Sequence, residues 1–493
     1  MSIMKGRIAR QKVSAKTQTN IKFGLAGVLM KGKVKGLLIA GCLIGELMGN
    51  ALPALAQSAD DSAPQPNLVK PGAAPSSGRV GPLAPMADRL AQDGITFHAI
   101  SLDFFLVNPS SGLAPGHTQN SLYNILGVDV DLSKRAGLHG SSLHYETTLF
   151  AFNKNLSYLS QVGDSLLGYE ATFNKEAGVI SVATFEQKAF NDRLDIEVGR
   201  THPNRYYGIP LCQSLDSCFQ DIFYYNAGFT SPQYSVWGGN VSYQTTKSLY
   251  AEAGVFSTDS NAHLIGYDIT REDITGAVGM AEVGYKTDFT TEAYPARFSL
   301  TAFVNTSPHP DYNFAAALNP SSTVNRNGTS GAVIQAQKVV WRADGGATRN
   351  PSPTSIAIYG SFGQAFDSTS QIQSDLYVGA TLQSPFVGRP ADRFGVKFNW
   401  ERLNPNYVNY LNEANFVSGG TGNLSIGNEY VFEANAHIQL PGGLAFEPVV
   451  QYAINPNSFY NPSTASRPRS GVFVVGTLVI PVGTLLGLQP NSP

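Results

Sequence analysis

The chain has 493 residues, of which only 14% are charged, whereas 11% are aromatic and 49 are glycine. Soluble proteins carry about 25% charged residues, and a helical membrane protein needs long apolar runs, which are missing after residue 56. Nine of the 34 Lys and Arg but one of the 36 Asp and Glu fall in residues 1–56, so the remainder has 25 basic and 35 acidic residues, a formal net charge of −10. This balance argues against a nucleic-acid partner, because a phosphate-binding surface needs clustered Lys and Arg.

Residues 1–56 have the pattern of a bacterial signal peptide. A basic segment precedes an apolar run at 36–49, and an Ala-Leu-Ala segment predicts cleavage between Ala56 and Gln57. An alternative is a lipoprotein signal acylated at Cys42. The apolar sequence continues past that cysteine to the small-residue site, which favours the ordinary signal.

Residues 57–85 are rich in Pro, Ala and Ser without periodicity, which predicts a flexible linker. The segment 84–93 predicts one short helix with Met86 and Leu90 on one side. The remaining domain, 86–493, is predicted to be a single β-barrel.

From residue 95 the chain is a succession of strand candidates separated by Gly, Pro, Asn and Asp clusters. The sixteen predicted strands are 95–106, 122–132, 140–152, 176–188, 190–200, 236–246, 248–257, 276–288, 295–305, 331–342, 354–364, 374–384, 393–402, 428–440, 443–455 and 470–482. An even number of strands, most of them close to the roughly 9–11 residues of a tilted spanning strand, is typical of bacterial outer-membrane barrels.

The predicted hairpin 428–455 illustrates the pattern. Its even-numbered positions from Tyr430 to Leu440 are apolar, and the odd-numbered positions between them are mostly polar, with Val431 the exception. The strands 190–200, 295–305 and 393–402 repeat the alternation. Side chains on a strand alternate between two faces; the apolar face would be the core of a soluble sandwich but the lipid-facing side of an outer-membrane barrel.

The export signal and the repeated one-faced strands favour the barrel. The predicted connections support it, because short ones alternate with long ones, as periplasmic turns and external loops do. The short connections are 188–190, 246–248 and 440–443, and the long ones are 201–235, 258–275, 306–330 and 403–427. The predicted fold is therefore all-β: a transmembrane antiparallel β-barrel of about 16 strands, with short periplasmic turns and long external loops.

Charged residues on the predicted inner face are the candidates for the solute path. They are Asp195, Glu197, Arg297, Arg393, Lys397, Glu401, Glu429, Glu433 and Glu447. Acids and bases near aromatics such as Tyr359 and Tyr377 suit sugars, because hydroxyl pairs bond to both charge types and a pyranose face stacks on a ring. The alternative is that these residues form ion-pair ladders that hold the wall together.

Cys212 and Cys218 are the two cysteines that follow the signal, and they are predicted to form a disulfide in a long loop. The eight histidines are scattered without ligand spacing, and no nucleophile elbow or phosphate-binding glycine loop occurs. The sequence thus predicts no catalytic residues, no metal and no cofactor, and the protein is not expected to be an enzyme.

One further segment carries a family resemblance. Pro448 begins a Pro-x-x-Gln-Tyr-x-x-Asn-Pro motif that ends at Pro456, after Glu429 and Glu433 on the preceding strand. In this motif, and more weakly at 90–95 and in short motifs between 127 and 200, the chain resembles the carbohydrate-selective (OprB-like) porins of Gram-negative outer membranes. The resemblance spans about residues 86–483.

The resemblance implies a sixteen-stranded outer-membrane barrel that passes glucose and similar small neutral sugars by passive diffusion, through a constriction lined by Arg and acidic residues. Sugars and outer-membrane lipid are then the expected partners, in a monomer or a trimer. Alternatives are a barrel for polysaccharide export or adhesion, and a soluble exported carbohydrate-binding β-protein. The chain departs from the usual barrel pattern in two ways: it continues past the last strand to Pro493 instead of ending on an aromatic, and that strand is apolar on both faces.

Overall fold

The computed structural model describes residues 78–168, 178–208, 211, 221–229, 234–319, 325–347, 350 and 352–490. These residues form sixteen antiparallel strands that close into one barrel. The strands are β1 Ile95–Asn108, β2 His117–Asp131, β3 Ser141–Asn153, β4 Gly178–Ala189, β5 Leu194–Thr201, β6 Val236–Gln244, β7 Leu249–Asp259, β8 Ile274–Lys286, β9 Ala296–Pro310, β10 Asn325–Arg342, β11 Ser355–Ala365, β12 Ile372–Gln383, β13 Arg393–Leu403, β14 Asn428–Gln439, β15 Ala445–Ile454 and β16 Gly471–Ile480.

Each strand pairs with its neighbours in sequence, and β1 pairs with β16 to close the barrel. The sixteen predicted strands are confirmed, with ends that shift by a few residues. β5 begins four residues later than predicted, because Phe190, Asn191 and Asp192 all have left-handed φ angles of 56–61°. Such a backbone turns the chain sharply and cannot continue a strand.

The barrel is apolar outside and largely polar inside. On β15, the outward-facing Val450 is 48% exposed, whereas the inward-facing Glu447 is 2% exposed. On β9, Phe298 and Leu300 point outward and Thr301 points inward and is buried. This is the reverse of a soluble sandwich, and it matches a barrel whose outer surface meets lipid.

The helices of the described chain lie in the connections and near the termini. They are α1 Ala84–Gln92, α2 Leu132–Ala136, α3 Tyr158–Val162, α4 Ser165–Gly168, α5 Phe314–Leu318, α6 Pro405–Val417 and α7 Val482–Leu486. The predicted short helix at 84–93 is confirmed as α1. No helix in the described ranges is long and apolar enough to span a membrane.

The two ends of the barrel differ. One end, called the turn end, holds mostly short connections such as 190–193, 245–248 and 440–444; the other, called the loop end, holds the longer β3–β4, β5–β6 and β13–β14 connections. The described parts of two of these loops do not stay outside. Portions of the β3–β4 and β5–β6 loops fold back into the barrel and fill part of its interior with apolar side chains.

The β3–β4 loop explains why β16 is apolar on both faces. Tyr158 and Val162 of α3 are fully buried and belong to one apolar cluster with Phe473 and Val475, which point inward from β16. The rings of Tyr158 and Phe473 lie 6.4 Å apart. The inner face of β16 therefore packs against a loop and does not face an open lumen.

The segment after β16 has a structural role at the turn end. Pro481 precedes α7, and the Leu83 N–H before α1 donates a hydrogen bond to the Leu486 carbonyl oxygen at 2.9 Å. The Arg79 guanidinium donates to the Leu488 carbonyl, and the Ala99 N–H donates to Gln489. The residues that follow the last strand thus fasten the entry segment to the barrel.

Candidate solute path

Six inward-facing residues form a continuous polar row across the wall from β9 to β15. They are Arg297, Gln337, Tyr359, Lys397, Glu433 and Gln451, each directly opposite the next except that Gly379 of β12 lies between Tyr359 and Lys397. Because the strands of such a barrel tilt by roughly 35–45°, a row along the hydrogen-bonding direction climbs diagonally along the wall. We call it the polar track; it brings together three predicted path residues.

Lys397 and Glu433 form the central ion pair of the polar track. The Lys397 ammonium lies 3.1 Å from Glu433 Oε2, and the side chains are 11% and 0% exposed, respectively. Glu433 also accepts hydrogen bonds from the amides of Asn435 and Gln451, at 3.0 and 2.8 Å. The carboxylate is therefore fixed in the wall, and the ammonium group is the part of the pair that reaches the lumen.

A second charged group lies next to the polar track, near the turn end. Arg393 is opposite His437, and His437 Nδ1 is 2.6 Å from Glu447 Oε1. The histidine and glutamate side chains are 18% and 2% exposed, and Arg393 is half-buried. The Glu447 carboxylate is again buried in the wall, and the neighbouring basic groups, His437 and Arg393, are more exposed than the carboxylate.

Two predicted path residues lie on the opposite side of the barrel. Glu197 of β5 accepts hydrogen bonds from Thr184 at 2.6 Å and from the Arg205 guanidinium at 3.2–3.3 Å. It therefore anchors the start of the β5–β6 loop. Asp195 is half-buried opposite Lys188, which forms an ion pair with Glu186 at 3.3 Å.

Glu401 and Glu429 are the predicted path residues that the structure places away from the lumen surface. They are 0% and 2% exposed, beneath the β3–β4 loop. Glu401 accepts a hydrogen bond from Ser165 at 2.5 Å, and both carboxylates accept from the Asn457 amide, at 3.2 and 2.9 Å. Both carboxylates therefore bind loop residues and hold the β3–β4 and β15–β16 loops against the wall.

The β5–β6 loop also covers the aromatic side chains that the sequence suggested for sugar stacking. Tyr359 and Tyr377 are each 5% exposed and pack with Leu211 of the loop. The Leu211 carbonyl accepts a hydrogen bond from Gln337 at 2.6 Å. These two rings pack against the loop, which covers them, so a solute in the lumen does not reach them.

The same loop carries the buried Asp221. Its carboxylate accepts hydrogen bonds from the Phe223 N–H at 3.0 Å and from the Ser361 hydroxyl of β11. Burial raises the pKa of Asp221, and these hydrogen bonds only partly offset that effect. Asp164 of the β3–β4 loop is equally buried, and burial raises its pKa as well.

Sequence reasoning missed a network of histidines and acids on β1–β4. His98 contacts Asp129 at 3.2 Å and Glu146 at 3.3 Å, and His144 contacts Asp129 at 2.7 Å and Glu186 at 3.4 Å. Carboxylates only accept, so both rings fit these contacts as double donors. The signal was present in the sequence only as inward-facing parity on four neighbouring strands.

Other predictions receive no test here. Cys212, Cys218, Ala56 and Gln57 lie outside the described residues. Within the described ranges, no group of three or more His, Cys, Asp or Glu side chains has the arrangement of a metal site.

A closed barrel with an apolar exterior, a polar inner wall and loops folded into its interior defines an outer-membrane porin. The family model described as "Carbohydrate-selective porin, OprB family" matches residues 125–478, most of the barrel. The chain belongs to this family of carbohydrate-selective porins of the Gram-negative outer membrane.

Two solved structures share the fold. The chain is similar to the high-pH structure of Pseudomonas putida OprB, with a TM-score of 0.66 and 19% identity over 80% of this chain and 94% of that one. The low-pH structure of the same protein gives a TM-score of 0.50 and 14% identity over 83% and 99% of the two chains. No curated protein matches the chain in sequence.

Proposed function

We propose that this porin passes small neutral sugars of the glucose type by passive diffusion, along a path that includes Arg297, Arg393 and Lys397. One observation carries the proposal: on the β9–β15 wall, the buried Glu433 carboxylate fixes the Lys397 ammonium, and the half-buried Arg297 and Arg393 lie on the same inner face. Charged N–H donors bond well to the hydroxyl oxygens of a sugar. A fixed donor spends less entropy on binding than a free one.

The acids of the predicted path then have a supporting role. Glu433 and Glu447 orient Lys397 and His437, and Glu197 holds the loop through Arg205. The loops that fold into the barrel reduce its bore, which favours small solutes over a polymer. Passive diffusion needs contacts that are weak enough to release the solute again.

Neutralising Lys397 and Arg393 tests the path. Lys397→Gln and Arg393→Gln should each make the pore more cation-selective, because each removes a positive charge from the lumen surface. Each should also weaken glucose block of the ion current by about fivefold, the equivalent of one hydrogen bond of about 1 kcal/mol. The measurements are reversal potential and sugar titration in planar bilayers.

Lys134→Gln is the matched control, since Lys134 is exposed on α2 at the turn end. It should leave both quantities unchanged. If the wild-type barrel conducts ions but neither variant differs from it, the path does not run along these residues. If intact barrels pass no solute into liposomes, the proposed sugar diffusion is itself wrong.

A further inference from the structure

A cavity of about 330 Å³ lies at the loop end, between the β13–β14 connection, the end of β15 and the segment before β16. This volume is at the lower end of the roughly 300–1,000 Å³ that ligand pockets occupy. The polar residues that line it include Ser425, Arg467, Arg469 and Ser470. We call it the arginine pocket. The Arg469 backbone is fixed by two hydrogen bonds with Gly112 of the β1–β2 connection, at 2.9 and 3.0 Å.

The two arginines carry positive charge without acidic partners. Arg467 and Arg469 are exposed, and neither guanidinium group forms an ion pair or a hydrogen bond with the residues that the structure describes. The three connections in contact here, 109–116, 418–427 and 455–470, contain no Asp or Glu. Acidic residues outnumber basic ones in the chain after residue 56, so this local excess of positive charge is opposite in sign to the charge of the chain around it.

The hydroxyl groups of the pocket have protons left to donate. The Asn455 N–H donates to the Ser470 hydroxyl oxygen at 3.0 Å, and the Gly427 N–H donates to the Ser425 hydroxyl oxygen at 3.1 Å. Within the described part of the chain, neither hydroxyl proton has an acceptor. The pocket therefore offers two fixed O–H donors beside two guanidinium groups.

The pocket lies at the membrane–water boundary of the outer wall. Trp400 of β13 is opposite Tyr430 of β14, and both point outward, as does Tyr452 of β15. Rows of outward-facing aromatic side chains mark the interfaces of a membrane barrel. Ser470 is exposed and has the outward parity of Val472, which is opposite Tyr452. Because a strand rises about 3.3 Å per residue, the pocket begins directly above the aromatic row, at the level of the lipid headgroups.

The chemistry of the lining fits a phosphate group. Guanidinium groups bond to phosphate oxygens in a bidentate way, and hydroxyl donors complete such a site. Below the pocket, outward-facing side chains such as Tyr452 and Val450 face the acyl chains of the same leaflet. A lipid can therefore place its phosphate in the pocket and its chains along the wall, whereas a phosphate ion from solution gains only the first of these contacts.

We propose that the arginine pocket binds the phosphate group of an outer-leaflet lipid and so holds one lipid at a fixed position beside β14, β15 and β16. The phosphate joins the β13–β14 connection, through Ser425, to the β15–β16 connection, through Arg467, Arg469 and Ser470. Since the pocket is on the outside of the barrel, this lipid site is separate from the sugar path.

Quenching of tryptophan fluorescence by brominated lipids tests the site. Trp237→Phe and Trp341→Phe leave Trp400 as the single tryptophan of the chain. Trp400 is close to the pocket, because its indole N–H donates to Asn428, two residues after Ile426 of the lining. In phosphatidylcholine vesicles, brominated phosphatidic acid should be preferred over brominated phosphatidylcholine at Trp400 by about tenfold, with about threefold from each arginine.

Removing the arginines should remove this preference. Arg467→Gln and Arg469→Gln should each reduce it to about threefold, and the double variant should abolish it. Arg326→Gln is the matched control, because Arg326 is a 60% exposed arginine at the loop end of β10, and it should keep the wild-type preference. All variants are compared as folded, heat-modifiable barrels.

Inorganic phosphate distinguishes the two sources of the group. Calorimetric titration of the wild-type barrel in pure phosphatidylcholine should show no saturable binding of inorganic phosphate. Binding that requires Arg467 and Arg469, without a preference for phosphatidic acid at Trp400, would mean that the pocket takes phosphate from solution and would overturn the lipid site. A wild type without the lipid preference, or a double variant that keeps it, would overturn it as well.

Discussion

Pro448 lies in the middle of a strand that pairs on both sides, and the structure shows how the barrel accommodates it. The pairing of β14 with β15 is continuous from Tyr430–Ile454 to Asn435–Val449 and resumes only at Ile438–Phe446. The interruption lies where Ala436 and Pro448 would pair, because proline has no N–H to donate. On its other side, Pro448 keeps its register with Gly476 of β16. The barrel thus tolerates the proline by leaving one short gap.

The His437–Glu447 hydrogen bond closes this gap on the lumen side, because these two residues lie next to Ala436 and Pro448 and are also missing from the β14–β15 register. His437→Ala should therefore destabilise the barrel by about 1–3 kcal/mol, the range for a buried hydrogen bond to a charged group. The temperature at which the folded gel band converts to the unfolded band should fall. His139→Ala, in the exposed β2–β3 turn, should not change it, and equal conversion temperatures for both variants would refute the bridge.

At the scale of elements, the strands were predictable from the sequence and the inward loops were not. Alternation is a local signal, so 428–440 and 443–455 could be placed within a few residues of β14 and β15. Asp221, in contrast, meets Ser361 at a separation of 140 residues, and Asn226 bonds to Ile372 at a separation of 146. No local pattern encodes such contacts. For the same reason, the inward-facing parity of Glu401 and Glu429 could not show that loop residues cover both carboxylates.

The packing of the β5–β6 loop against the barrel wall requires a glycine at position 363. A Cβ atom at Gly363 of β11 would overlap the Cβ and ring atoms of Phe223, which is fully buried in the loop. Gly363→Ala should therefore weaken the packing of the loop against β11 by about 1–3 kcal/mol, as overpacking does. Because the loop would then leave its position part of the time, the conductance should fluctuate between two levels. In a Phe223→Ala background the same change should have almost no further effect.

Gly279→Ala is the control for that experiment, because a Cβ atom at Gly279 meets nothing within 4 Å. Steady wild-type conductance in Gly363→Ala would show that Phe223 does not need the glycine. An equal effect of Gly363→Ala with and without Phe223 would place the strain elsewhere in β11.

For the whole molecule, the burial pattern and the family agree on the direction in which the sheet faces. Outward positions hold large exposed apolar side chains such as Phe432, Val450 and Tyr452, and inward positions hold buried acids and amides such as Glu433 and Gln451. A water-exposed surface of this kind would be a severe aggregation hazard. Lipid removes the hazard, and it makes the cost of a charge depend on which face carries it.

That dependence gives the sharpest test of the architecture. Val450 lies near the middle of β15 and points outward, so Val450→Arg should destabilise the barrel by about 2–4 kcal/mol, the cost of a cation at the bilayer midplane. Refolding into lipid vesicles should yield less of the heat-modifiable form. Ser463→Arg, in the exposed β15–β16 loop, adds the same charge outside the strands and should refold like the wild type. In water, an arginine at the exposed Val450 position would cost almost nothing, so equal refolding of the two variants would mean that this face does not meet lipid.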